Sequence, residues 1–310
     1  MSHSRPHITG YTTGKFIGRG AFADVYIVVS QKNGTRLACK SFERSSIADP
    51  AKATKMLKQE INALKTLSHP NIIKLHSVVE TETHFCVLME LCEGGGLDIE
   101  ITKQKKLDEV TARNVFQQIL NALTFCHSKD IAHRDLKPSN ILVTKFPNIK
   151  LSDFGLSGIM GSENLMSTQC GTIMFAAPEC FAGHNYNGVA ADIWSSGVLL
   201  YTMLTGKIPW RGTSQIMLMN EMKKGPPPIL DVSAECNQLI KMALDETPAN
   251  RPSASDLLRH PWFTSTKVPV PLRETKMNTS QTPLVGLTKT STPPVKKAPG
   301  NGPLKLNFKH

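Results

Sequence analysis

The apolar positions divide the chain at three consecutive glycines, Gly94, Gly95 and Gly96: strand-like patterns dominate before them and helical patterns after. Residues 11–29 are glycine-rich but β-prone, with Val25, Ile27 and Val29 alternating, and a strand over 35–42 follows the Asn33-Gly34 turn. Leu57, Ile61, Leu64 and Leu67 fall on one face of a helix predicted over 51–67, which His69-Pro70 stops. Strands are predicted again at 75–80 and 85–91. Beyond the glycines, Asp108 is placed to cap a helix with Val115, Ile119, Ala122 and Cys126 in one stripe, broadened by Phe116, Leu120 and Leu123. Residues 192–205 are apolar on nearly all sides and end at Gly206, which suits a helix in the centre of a lobe. Pro226 to Pro228 mark a loop, and Arg251-Pro252-Ser253 precedes a last short helix near His260-Pro261-Trp262-Phe263.

These elements predict an α+β fold of two lobes. A β-rich lobe with one helix covers 11–92, and a larger helical lobe covers 93–263, together one domain over 11–263. A short extension, 1–10, precedes it. From 264 to 310 Pro, Thr, Ser and Lys dominate without a period, which predicts a disordered basic tail.

Composition narrows the class without fixing it. The net charge of +11 invites a nucleic-acid reading, but the tail holds eight Lys/Arg against one acid and so carries seven of those charges. No specific nucleic-acid partner is therefore expected; weak attraction of the tail to acidic lipid or RNA stays open. Leu304, Leu306 and Phe308 alternate in the tail as a docking strand for a partner would, but chance alternation is the simpler explanation. Seven cysteines, an odd number without a C-x-x-C pair, point to reduced thiols rather than a disulfide framework. The first ten residues lack an apolar signal region, and no transmembrane segment of about 18 apolar residues occurs. A soluble protein of the cytoplasm or nucleus is expected.

The chemistry is concentrated in His133-Arg134-Asp135-Leu136-Lys137-Pro138-Ser139-Asn140 and, thirteen residues on, Asp153-Phe154-Gly155. One loop there supplies a carboxylate, a cation and an amide, with a second carboxylate close behind. Phosphoryl transfer needs that set: a group to orient a hydroxyl, a positive charge for the moving phosphate, and hard oxygen ligands for Mg²⁺. Upstream, Gly18-Arg19-Gly20-Ala21-Phe22-Ala23-Asp24-Val25 offers backbone N–H groups to phosphate, and Ala38-Cys39-Lys40 places a cation on the next strand.

Together these motifs resemble the protein kinase family over residues 11–263. Lys137-Pro138-Ser139 resembles the serine/threonine type. Asp192-Ile193-Trp194-Ser195-Ser196-Gly197 through Leu204-Thr205-Gly206-Lys207-Ile208-Pro209-Trp210 is similar to the calcium/calmodulin-dependent and AMP-activated branch. The resemblance implies the roles that follow. Asp135 orients the substrate hydroxyl and accepts its proton, and Lys137 neutralises the γ-phosphate of ATP. Lys40 anchors the α/β phosphates and pairs with Glu60, while Asn140 and Asp153 ligate Mg²⁺. Ile17, Gly18, Gly20, Val25 and Ala38 cover the nucleotide, Leu142 lies beneath it, Met89 stands behind it, and the backbone of Glu90 and Cys92 pairs with adenine. Leu64, Leu75, His133 and Phe154 stack as an internal spine. Glu179 of Ala177-Pro178-Glu179 pairs with Arg251, Asp192 braces the loop backbone, and Thr172 bonds near Asp135 and Lys137.

The implied function is a protein serine/threonine kinase, acting on protein substrates with ATP and Mg²⁺. Arg134 before Asp135 goes with activation by phosphorylation, placed at Thr168, which implies an upstream activating kinase. The competing class is a pseudokinase scaffold that binds nucleotide and acts through protein interactions; a scaffold has no chemical need of Lys40, Asp135, Asn140 and Asp153 together. Departures from the family pattern are informative. Ala23 replaces the third loop glycine, and Gly158 stands where a second phosphate-binding cation is common. Gly96 and Ser139 replace two glutamates that bind a basic substrate residue, removing charge-assisted hydrogen bonds worth ~1.5–3 kcal/mol each. A weak or unusual basic preference follows, with Asp98 and Glu100 as nearby substitutes.

Overall fold

Five short strands pair through every neighbour in an antiparallel sheet of order β1-β2-β3-β5-β4. They are β1 (Tyr11–Arg19), β2 (Asp24–Ser30), β3 (Arg36–Glu43), β4 (Leu75–Glu80) and β5 (His84–Glu90). This computed structural model describes residues 5–20, 23–46, 57–58, 61–154, 173–181, 186–212 and 214–264, all within one compact unit, Met1–Leu272. The β2–β3 connection turns at Gly34, whose φ of 70° suits glycine, with the Gly34 N–H on the Ser30 carbonyl.

The register sorts side chains by face. Directly opposed residues in an antiparallel pair share a face, so Val25, Lys40 and Val87 line up, as do Ile27, Ala38 and Met89. On the other face Val28, Leu37, Cys39, Cys86 and Leu88 close a small core with Ile8. A one-residue slip would exchange the two sets. The predicted helix before His69 is described at residues 57–58 and 61–66, and Leu57, Leu64 and Leu67 are buried as its spacing requires.

Beyond the glycines the helices are α1 (Leu97–Gln104), α2 (Glu109–His127), α3 (Gly188–Thr205), α4 (Gln215–Met222), α5 (Ala234–Ala243), α6 (Ala254–Leu258) and α7 (Pro261–Thr264). A two-stranded ladder, β6 (Ile141–Val143) with β7 (Ile149–Leu151), lies between α2 and α3 in the chain. Asp108 does cap α2, accepting from the Thr111 N–H at 2.9 Å. Helix α3 begins four residues before the predicted 192, because the Asn187 side chain caps the N–H groups of Val189 and Ala190. It is buried nearly all round, and its hydroxyls bond to backbone carbonyls: Ser196 to Ile193, Thr202 to Val198, Ser195 to Phe175. The six described cysteines are free thiols, and no described helix is long and apolar enough to cross a membrane.

Two buried clasps, each built on a glutamate carboxylate, tie parts of the helical lobe together. Glu109, at the start of α2, accepts from the Ser233 N–H and hydroxyl at the α5 cap and from the Trp262 indole N–H in α7. Arg251 is fully buried and forms a bidentate pair with Glu179, at 2.6 and 2.8 Å. Its remaining donors reach the Asp245 and Ala190 carbonyls, and its guanidinium lies over Trp194. Burying a guanidinium is unfavourable unless every donor is met, so removing the carboxylate alone should be severe. Glu179→Ala is expected to lower the free energy of unfolding by about 3–5 kcal/mol, read by urea denaturation; a loss below about 1 kcal/mol would place the pair among exposed ones.

Candidate active site

The loop from His133 to Asn140 has little regular structure of its own and is held from outside. The Asp192 carboxylate, fully buried in α3, accepts the N–H of His133 and the N–H of Arg134, both at 2.7 Å, and contacts His127 Nε2 at 2.9 Å. Arg134 takes a φ of 65°, a conformation that costs a non-glycine residue ~1–3 kcal/mol and persists only where its surroundings enforce it. The Asp135 N–H donates to His133 Nδ1, so the imidazole proton sits on Nε2 and is donated to the Ser152 carbonyl at 2.8 Å. Ser152 returns its N–H and hydroxyl to the Asn140 carbonyl, both at 2.9 Å. The loop and the strand leading to Asp153 are thus tied on both sides.

Asp135 emerges with a defined orientation. Its Oδ2 accepts from Lys137 Nζ and from the Asn140 side-chain amide, each at 2.8 Å. Its Oδ1 has no hydrogen bond among the described residues, which leaves one carboxylate oxygen for a substrate hydroxyl. Asn140 spends its Nδ2 on Asp135, side chain and carbonyl, so its Oδ1 is the atom left for a ligand. Asp153, with a φ of 63°, meets Lys40 Nζ at 2.9 Å across 113 residues of chain. The amide oxygen of Asn140 and the carboxylate of Asp153 are hard oxygen donors that fit a small divalent cation; a metal that also bound phosphate would find incomplete charge cancellation here.

Several of the positions expected to face a nucleotide share one surface. Val25, Ala38, Lys40 and Met89 lie on the same face of the sheet by register. Leu142 projects from β6 between the buried Ile141 and Val143. Gly18, Gly20 and the half-exposed Ile17 lie at the β1 end, where the Gly20 N–H reaches the Ala23 carbonyl and Arg19 pairs with the buried Asp24. At the hinge, the Gly94 N–H bonds to the Val143 carbonyl, so close that an added Cβ would lie 2.7 Å from that oxygen. Glu90 and Cys92 flank this crossing. His133 packs on Phe154 with ring centroids 4.8 Å apart, Leu64 is buried in the same core, and Leu75 packs against it.

Gly96 adjoins Ser139: a Cβ on Gly96 would lie 3.2 Å from the Ser139 Cα and 2.2 Å from Asp98 Oδ1. The two substituted positions therefore face each other, with the Asp98 carboxylate folded over the glycine. Glu100 accepts from the Gln104 side chain at 3.1 Å and lies 3.7 Å from Lys103 along its own helix. Glu60, Gly158, Thr168 and Thr172 lie outside the described residues, as do Ala21, Phe22 and 265–310 of the tail. The motifs gave no hint of His127, Gln118 or Lys150, polar residues that tie elements together around the loop; a lysine between buried Ile149 and Leu151 was the available signal for the last.

Burial pushes the Asp153 carboxyl up, but the Lys40 ammonium and its hydrogen bond outweigh this, aided by Lys137 and His133, and leave it at about 2. A depressed carboxyl stabilises the fold fully above its ordinary value of 3.8, and that contribution is lost as pH falls through about 2. Lys40→Met is expected to move the Asp153 carboxyl up to or above 3.8, read by carboxyl ¹³C NMR; an unshifted titration would contradict the pairing.

Comparison with known proteins points to one family. The family model described as protein kinase domain matches residues 11–263. CBL-interacting serine/threonine-protein kinase 15 of Arabidopsis thaliana is 37% identical over 257 residues, 82% of this chain and 61% of its own length. CBL-interacting serine/threonine-protein kinase 1 of the same plant is 37% identical over 263 residues, 84% of this chain and 59% of its own. CBL-interacting protein kinase 1 of Oryza sativa subsp. japonica is 35% identical over 264 residues, 84% and 57% respectively. The chain thus spans about three fifths of the length of the curated relatives it matches. With a matching family model over most of its length and a loop built as described, the chain belongs to the protein kinase domain family, whose members use ATP and a divalent metal.

Proposed function

We propose that the chain is an active protein serine/threonine kinase that transfers the γ-phosphate of ATP to Ser or Thr hydroxyls of protein substrates. The observations that carry this are one ion pair across 113 residues, Lys40 with Asp153, and one trio within a single loop, Asp135 with Lys137 and Asn140. A nucleotide-binding scaffold would not require Asp135 to be pinned through one oxygen with the other left open.

The mechanism follows from the hydrogen bonds. Asp135 Oδ1 accepts from the incoming hydroxyl, orients its oxygen toward the γ-phosphorus and takes its proton as the new O–P bond forms, while the bond from the γ-phosphorus to the β–γ bridging oxygen breaks and ADP leaves. Lys137, already beside Asp135, places its ammonium where charge builds on the transferring phosphoryl group. Lys40 turns from Asp153 toward the α/β phosphates when the nucleotide enters. Asn140 and Asp153 would hold Mg²⁺, which supplies charge neutralisation across the phosphates when bound.

Regulation by phosphorylation of Thr168 is part of the proposal. Its support is Arg134, adjacent to Asp135, whose Nε is buried without a hydrogen-bond partner among the described residues. A phosphate adds about −1.5 to −2 charge and three acceptor oxygens that such a cation can take. Among substrates, the meeting of Gly96 with Ser139 supports a weak preference for basic residues.

Asp135→Asn is expected to reduce phosphate transfer to a Ser/Thr peptide library by ~10²–10⁴-fold while ATP still binds, and the wild-type signal should show no dominant arginine; equal transfer by the variant would defeat the assignment. Thr168→Ala is expected to leave an activator-treated sample at its basal rate; full activity in that variant would remove the switch.

A further inference from the structure

Glu90 ends β5 at the hinge, and its side chain takes the sheet face opposite to Met89, away from the surface shared by Val25, Ala38 and Lys40. The carboxylate nonetheless has two strong donors on that far side. Its Oε1 accepts the Lys74 N–H at 2.6 Å and forms an ion pair with the Lys150 ammonium at 2.9 Å. The Lys150 Nζ also donates to the Pro70 carbonyl at 2.8 Å. Lys150 is the middle residue of β7, directly opposite Leu142 in β6 and three residues before Asp153. One half-buried ammonium therefore touches the hinge and the turn before β4 from the strand that carries the metal-binding carboxylate.

The same region is stitched by backbone: the Ile73 N–H bonds to the Leu151 carbonyl, and the Leu151 N–H to the Asn71 carbonyl. That stitching fixes β7 against the turn, but it does not reach Glu90. Glu90 is tied to the neighbouring Lys74 through its own N–H, on the Lys74 carbonyl at 3.0 Å, and through its side chain, and the Lys150 ammonium adds a link from β7 itself to the residue whose backbone faces adenine. Both charges are also felt at Cys92, where burial and the Glu90 carboxylate raise the thiol to about 11 while Lys150 pulls it down.

We propose that Lys150 is a positioning residue for the nucleotide: through Glu90 it holds the adenine-facing hinge in register with the strand that presents Asp153. This rests on the kinase reading above and adds a residue to it. It acts from behind the pocket. Loss of the ammonium leaves the Glu90 carboxylate with a single donor in a half-buried place, and the hinge backbone relaxes relative to Leu142. The effect should fall on nucleotide affinity and leave the phosphoryl-transfer step, organised by Asp192 and Asp135, unchanged.

The test uses the purified full chain and mant-ATP fluorescence, with steady-state kinetics alongside. Lys150→Met is expected to bind mant-ATP about tenfold more weakly and to raise KM for ATP by the same factor, with kcat and peptide KM within about twofold. Lys150→Arg should recover binding to within about threefold, since it keeps the charge and the donors. Glu90→Gln breaks the contact from the other side and should lose a similar factor, and the double variant should be no worse than Lys150→Met alone. Unchanged binding in Glu90→Gln or Lys150→Met, or additive losses in the double variant, would overturn the proposal. Failure of the wild-type chain to bind mant-ATP would instead overturn the kinase reading on which it rests.

Discussion

The buried carboxylate of Asp192 is the constraint on which the site depends. It gives both oxygens to the catalytic loop, one to the His133 N–H and one to the Arg134 N–H, while its helix is enclosed by the core. An isolated ionised group there would be strongly unfavourable, so its burial is possible only because three donors meet it. The exchange is reciprocal. The loop gains two charge-assisted hydrogen bonds that enforce the left-handed turn at Arg134, directly before Asp135. The second left-handed residue, Asp153, is held in the same manner by Ser152 on the loop side and Lys40 from the sheet.

A layered arrangement follows. The clasps of Glu109 and Arg251 fix helices to one another, α3 presents Asp192, Asp192 shapes the loop, and the loop orients Asp135 and Asn140. The sheet contributes by register alone, since pairing Val25 with Lys40 and Ala38 with Met89 sets the cation and the apolar surface on one side. The departures from the family pattern lie away from the Lys40–Asp153 pair and from the Asp135 carboxylate: Ala23 stands directly before β2, and Gly96 and Ser139 adjoin each other. Lys40, Asp135, Asn140 and Asp153 are all retained.

Much of this was legible in the residues before any coordinates. Local signals found the strands with alternating β-branched residues, the Asp108-capped helix and the enclosed α3, because burial imposes a period on the chain. Helix α1, after the glycines, and the three-residue strands β6 and β7 gave too few positions for a period to show; tertiary contacts decide them. The start of α3 was misplaced because the capping power of Asn187 lies outside its apolar run. The pairs Glu179–Arg251 and Asp192 with the loop came from family resemblance, and the geometry matches them. The tie from Lys150 to Glu90 did not come from motif or period, because a side-chain contact across 60 residues leaves no local trace.

The central claim is that Lys40, Asp135, Asn140 and Asp153 surround one metal-chelated triphosphate. A crystal structure of the chain with a non-hydrolysable ATP analogue and Mg²⁺ tests it most directly. The account predicts Lys40 on the α/β phosphates, Asn140 and Asp153 on the metal, and Asp135 Oδ1 open beside the γ-phosphate. Nucleotide bound elsewhere, or a metal held by neither Asn140 nor Asp153, would contradict it.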